Sequence, residues 1–166
     1  MSSESTTNIA DQTLAGVIEA VASASIAPGA GAAGAIVLAL AAACGRKAIA
    51  VTLRHRSEDA VLSKAAEQLA YISGRALAGA QEDGERFKEF VQDKEAGASQ
   101  RLINAEQSLL SLAELLAATL REIEAHIDPV MAGDIVAAHA LHKAFVVVGR
   151  TNLEESRESA AERLAT

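Results

Sequence analysis

An all-α fold, an up-down antiparallel bundle of long helices, is what this sequence predicts, and three observations carry that expectation. Apolar residues recur at helical spacing over several long stretches. Half of the 166 residues are apolar, yet aromatics make up 2% and Trp is absent, so the core must be built from Ala, Leu, Val and Ile, which lets helices approach closely. The one short run with strand propensity, Val146 to Val148, has no second strand to pair with. The length fits one domain, placed over residues 10–166 behind a Ser/Thr-rich, acidic tail over residues 1–9. That tail lacks the basic start and apolar run of a signal peptide and is expected to be disordered.

The elements follow in order. A short amphipathic helix is expected from about Gln12 to Ala24, capped by Asp11, with Leu14, Val17, Ile18 and Val21 on one face. A turn at Ala27-Pro28-Gly29-Ala30-Gly31 then leads into a nearly continuous apolar stretch from Ala32 to Leu53. Gly45-Arg46-Lys47 breaks that stretch below the roughly 18 residues of a membrane span, so it reads as a buried central helix. Ser57, with Glu58 and Asp59 behind it, starts a long helix reaching about Glu95. Its seam falls at sevens, Leu62, Leu69, Ala76, Asp83 and Phe90, with Ile72 and Phe87 on the flanks. Ser99 is expected to cap a fourth helix carrying Leu102, Ala105, Leu109, Leu112, Leu116 and Ile123. Asp128-Pro129 ends it, and Gly133-Asp134 opens a last helix with Ala138, Leu141, Phe145 and Val148 on one face. Glu154 to Arg163 reads as a solvated helix end.

Composition narrows the function classes. A net charge of −7 with a pI near 5.1 is the wrong sign for binding nucleic-acid phosphates. Cys44 is the only cysteine, so an internal disulfide and a multi-cysteine metal site are both impossible, and a reducing cytoplasm is the natural compartment. His139 and His142 share the i, i+3 spacing of helical metal ligands, but no Glu-x-x-His pattern accompanies them, and they read as ordinary histidines; no metal is expected.

Three places invite chemistry. The glycine-punctuated turn at Pro28, Gly29, Ala30 and Gly31 either brings backbone amides to a ligand or simply feeds a tightly packed helix. Arg54 and Arg56 either compensate a helix dipole or form a basic rim for an anion. Asp83 occupies a seam position where an apolar residue is due. Facing a packed interior it is desolvated, which raises its pKa, and Glu82 pushes the same way if its charge lies close; that suits a general acid or base. The other reading is a helix broken between Gly79 and Gly84, with Asp83 in water.

With those residues in hand, the chain resembles the cyclodeaminase/methenyltetrahydrofolate cyclohydrolase family, which also forms the second domain of formiminotransferase-cyclodeaminase. The family's Pro-Gly-Gly-Gly turn is matched by Pro28-Gly29-Ala30-Gly31. Its Asn-Leu-Thr-x-Gly-Lys-Lys falls in register with Ala50-Val51-Thr52-Leu53-Arg54-His55. Its Asp-x-Glu-x-Phe reads Asp83-Gly84-Glu85-Arg86-Phe87, and its late Ser-Asp reads Gly133-Asp134. The match runs from about Ala10 to Asn152. Departures fall on polar groups that would hold a folate: Ala30 for a turn glycine, Ala50 for Asn, Arg54-His55-Arg56 for Gly-Lys-Lys, and Val147-Val148 for a late Asn-Val. The family's C-terminal helical extension is also shortened.

The resemblance implies a homodimer that opens or closes a carbon–nitrogen ring without metal or cofactor, a hydrolase or lyase reaction at an amidinium-like carbon. A tetrahydrofolate derivative is the default substrate, and Asp83 inherits the acid/base role. The substrate-binding set implied is Pro28, Gly29, Ala30, Gly31, Thr52, Arg54, Arg56, Glu82 and Asp134. Two alternatives stand beside it: a family member recruited to cyclise or isomerise a different small molecule, and a non-catalytic helical dimer acting as a scaffold. The expected partners are a small molecule and a second copy, with neither nucleic acid nor membrane.

Overall fold

The computed structural model describes residues 8–56, 58–92 and 96–165. Five α-helices are seen among them: α1 (Leu14–Ala22), α2 (Ala30–His55), α3 (Ala60–Gln92), α4 (Ala96–Ile123) and α5 (Ala132–Leu164), with short 3-10 turns before α1 and between α4 and α5. Helices α2 to α5 form the up-down antiparallel bundle, each packed on the next, with α5 closing the ring against α2. The antiparallel register is visible in single contacts. Gly45 of α2 faces Leu69 of α3, Gly34 faces Phe145 and Val148 of α5, and Gly79 of α3 faces Leu109 of α4.

Small residues make this packing possible. The buried face of α2 is Ala32, Gly34, Ala35, Leu38, Ala39, Ala41, Ala42, Gly45, Ala48, Ile49 and Thr52. A Cβ added at Gly45 would sit 3.0 Å from both Leu69 and Leu120, so α2 meets α3 and α4 closely at that level. Gly45 is therefore a packing residue inside one unbroken helix, as expected, and the Arg46-Lys47 pair interrupts only its apolar character. Yet α2 is not central. It is one corner of the ring, with Leu40 half exposed. By length and hydropathy α2 meets the composition of a membrane span despite the charge pair, as does the stretch Pro129–Arg163. What ties α2 to the bundle is the one-sided distribution of its buried residues against α3, α5 and α4.

The helix starts differ from those expected, each for a local reason. Thr13, not Asp11, caps α1, its Oγ1 accepting from the Gly16 N–H at 3.1 Å, and of the predicted face only Val17 is buried, while Leu14 and Ile18 are exposed. Ser57 and Glu95 lie outside the described residues. Asp59 does the capping of α3, accepting from the N–H groups of Val61 and Leu62 at 2.9 and 3.1 Å. Ser99 is buried inside α4, which begins before it. Gly133 and Asp134 lie within the first turn of α5 and cap nothing, because the Asp128-Pro129 turn already delivers the chain in helical geometry at Ala132. Residues 1–7 of the tail are outside the described set. Ile9, inside the expected tail, is buried, and its N–H donates to Gln81 Oε1 at 3.1 Å. Val146 to Val148 are helical.

Candidate functional site

The antiparallel register brings four helix segments together at one end of the bundle, here called the upper end. They are the first turn of α2, α3 from Asp83 to Phe90, the N-terminal part of α4, and α5 beyond Gly149. Between them lies a cleft of about 380 Å³. Ile26, Phe87 and Phe90 supply apolar wall, and Asp83, Glu106, Asn152, Glu155 and Ser156 supply polar groups. A small void of about 10 Å³ continues inward to Phe145 and Val148, again with Asp83 and Glu106 on its lining.

Asp83 is where the heptad spacing puts it: the helix is unbroken from Ala60 to Gln92, and the residue is buried with 7% of its surface exposed. Its carboxyl group lies against Gly31, where an added Cβ would overlap both carboxyl oxygens. The requirement for glycine here is close approach. No glycine among the described residues has positive φ, and Gly29 has open space where its Cβ would be. Two effects oppose each other on the Asp83 carboxyl. Burial favours the neutral acid, while the Ala32 N–H, in the first turn of α2, donates to the carboxylate. Burial wins, and the pKa is pushed up to about 6.

Glu106 was not among the residues singled out by sequence. It is buried with 6% exposure, and its Oε1 accepts a hydrogen bond from Ser156 Oγ at 2.9 Å. Its Oε2 is buried without a partner. Burial first, then the nearby Asp83 and Glu155 charges, push its pKa up to about 7 against the Ser156 hydrogen bond and Arg157. The like-charged neighbour in this site is thus Glu106 rather than Glu82, which points away and ion-pairs with Arg86 at 3.6 Å. The C-terminal part of α5 is likewise no simple solvated end. Glu155, Ser156 and Ser159 line the cleft, and the Arg163 guanidinium lies 3.8 Å over the Phe90 ring.

Of the other expected site residues, Gly29, Ala30 and Gly31 line the cleft, whereas Pro28 faces a shallower pocket beside Gln81 and Lys88. Thr52, Arg54, Arg56 and Asp134 are elsewhere. At about 1.5 Å per residue, Arg54 stands roughly 35 Å along α2 from Gly31, which corrects the expectation that the turn and these arginines hold one anion within one chain. Thr52 is fully buried at that lower end, donating to the Ala48 carbonyl at 2.8 Å and accepting from the Asp128 N–H at 3.0 Å. Arg56 reaches the His126 carbonyl at 3.5 Å, and Asp134 sits 3.9 Å from Lys47. His142 Nε2 lies 3.0 Å from the Ala113 carbonyl oxygen.

Comparison with known proteins agrees with this architecture. A search of curated protein sequences finds no significant match. Among solved structures, the crystal structure of formiminotetrahydrofolate cyclodeaminase from Thermotoga maritima superimposes with a TM-score of 0.81 at 19% identity, over 95% of this chain and 88% of that one. At that identity the likeness speaks for the fold. The sequence profile of formiminotransferase-cyclodeaminase matches residues 13–163, nearly the whole length. The chain belongs to the formiminotransferase-cyclodeaminase family.

Proposed function

We propose that this protein is a cyclodeaminase/cyclohydrolase-like enzyme that opens or closes a C–N ring at the amidinium-like carbon of a methenyl- or formimino-tetrahydrofolate-like substrate, with Asp83 moving the proton and no resident cofactor. The observation that carries this reading is the placement of Asp83: a buried carboxyl, lining a cleft of about 380 Å³, with a pKa near 6. A carboxyl that titrates near neutrality exchanges protons with a nitrogen centre efficiently in either direction. The lining suits an amidinium. Among the described lining residues Asp83, Glu106 and Glu155 are acidic and none is Lys or Arg, so a cationic planar group is attracted and an anionic one repelled.

The same observation gives a second reading some force. A folate carries carboxylates at its far end, and the arginines expected to meet them lie at the other end of α2. A recruited enzyme acting on a smaller cationic substrate without such a tail fits this cleft as well. We further propose a homodimer in the cytoplasm. Leu40 on α2 and Val136 and Val147 on the adjacent α5 are exposed, and a second copy would cover them.

The test is turnover of 5-formimino- and 5,10-methenyl-tetrahydrofolate, followed by absorbance, in wild type and Asp83→Asn. Wild-type turnover that falls by about two orders of magnitude or more in the variant is expected. Turnover retained in Asp83→Asn would remove Asp83 from the chemistry, and no wild-type turnover of either folate would transfer the proposal to the non-folate reading.

A further inference from the structure

Glu106 is a costly residue to bury. One of its oxygens is held by Ser156 Oγ at 2.9 Å, and the other is buried with no partner. Leaving a buried carboxylate oxygen unpaired works against folding, so packing alone gives no reason for Glu here. Its position supplies one. Glu106 and Asp83 line both the main cleft and the void behind it, entering from neighbouring helices α4 and α3. The other charges acting on Glu106 are Glu155 and Arg157 of α5. From α2 the uncharged Gly29, Ala30 and Gly31 line the same cleft.

We infer that Glu106 is a second acid–base group of this cleft, working opposite Asp83 with one proton carried by the pair in the working state, and that Ser156 is its positioning residue. This rests on the reading of the cleft as a site for amidinium chemistry. For ring closure on a formimino group, the ring-closing amine nitrogen forms its bond to the amidinium carbon and loses its proton to ionised Asp83. Protonated Glu106 gives its proton to the departing amino group, the C–N bond to that group breaks, and ammonia leaves. Asp83 then gives its proton to solvent in the open cleft and Glu106 takes one back, so the pair is reset with no oxidant, reductant or further reactant. The order of acidities favours this division: Glu106, with the higher pKa of about 7, keeps the proton, while Asp83, at about 6, is the first to ionise.

The test separates this inference from the folate reading by starting without substrate. Carboxyl carbon-13 shifts of Asp83 and Glu106 are titrated from pH 4 to 9 in wild type, Asp83→Asn and Ser156→Ala. If the two act as a pair, Asp83→Asn lowers the Glu106 midpoint by about half a pH unit or more, because the Asp83 charge that raises it is gone. Ser156→Ala raises the Glu106 midpoint, because a hydrogen bond to the carboxylate is lost. An unmoved Glu106 midpoint in a folded Asp83→Asn protein overturns the inference, and an unmoved Glu106 midpoint in Ser156→Ala overturns the positioning role. With whichever folate wild type converts, Glu106→Gln is expected to lower kcat roughly 100-fold with little change in KM. Failure of wild type on all folates sinks the substrate assignment and leaves the titration to decide the pair.

Discussion

At the lower end of the bundle Thr52 donates to one carbonyl and accepts from the Asp128 N–H, and Asp59 accepts from two backbone N–H groups and lies 2.8 Å from His126 Nδ1. At the upper end Asp83 and Glu106 are more deeply buried than Asp59 yet less completely partnered, and they face open volume. The two ends have opposite electrostatic signs as well. Hydrogen bonds from His126 and the Leu62 N–H hold the Asp59 carboxyl below its ordinary range, whereas burial pushes Asp83 above it. A paired polar group favours the folded state; a desolvated one opposes it. The lower end therefore uses polar residues to fasten a connection, and the upper end keeps polar residues in spite of their cost.

The largest effect that would sharpen this contrast is at Gly31. Gly31→Ala places a methyl group on the Asp83 carboxyl, which must rotate away or push α2 from α3. Turnover should fall by about two orders of magnitude or more, and overpacking should lower stability by roughly 1–3 kcal/mol. Unchanged turnover would mean that Asp83 need not sit where it does. Next is Thr52→Val, which keeps volume but strands the Asp128 N–H. Denaturant unfolding should show a loss of about 1–3 kcal/mol, with turnover in the folded protein near wild type. A large drop in turnover without loss of stability would make the lower end part of the site. The smallest effect is expected from Arg54→Ala combined with Arg56→Ala. These exposed residues are remote from the cleft, so kcat/KM should change by no more than about twofold and stability by about 0.5 kcal/mol. A large rise in KM would show that they do meet the ligand, as they could only from another copy of the chain.

The fold and Asp83 were legible in the sequence for one reason: helical periodicity is strong in α3, and an acid interrupting Leu62, Leu69, Ala76 and Phe90 is conspicuous. Glu106 obeys the same rule and still escaped. The buried line on α4 runs Leu102, Glu106, Leu109, Ala113, Leu116, Leu120, Ile123, alternating steps of three and four. Ala105 and Leu112 offered an equally apolar companion stripe one residue earlier, and they turn out only partly buried. Ala113 and Leu120, at sevens from Glu106, were the available signal. Arg54 and Arg56 went astray differently. The stretch already reads as one helix in the sequence, and its length alone puts them some 23 residues, about 35 Å, from the turn. The caps of α1 and α3 moved because more than one Ser, Thr or Asp precedes each of these helices, and only three-dimensional reach decides which of them accepts the orphan N–H groups.

The most direct test of the claim that the upper end sacrifices stability for a titrating carboxyl is the pH dependence of melting in wild type and Asp83→Asn. The native pKa of about 6 lies above the ordinary 3.8. The folded state therefore holds the proton longer than the unfolded chain, and stability falls as pH rises between those values. The cost is absent below the lower value and complete above the higher one, about 3 kcal/mol for a shift of some two units. Asp83→Asn should therefore match wild type near pH 4 and melt several degrees higher at pH 7.5, with the gap opening through pH 6. A variant that melts below wild type at pH 7.5 would contradict this account, because Asp83 would then be holding the bundle together.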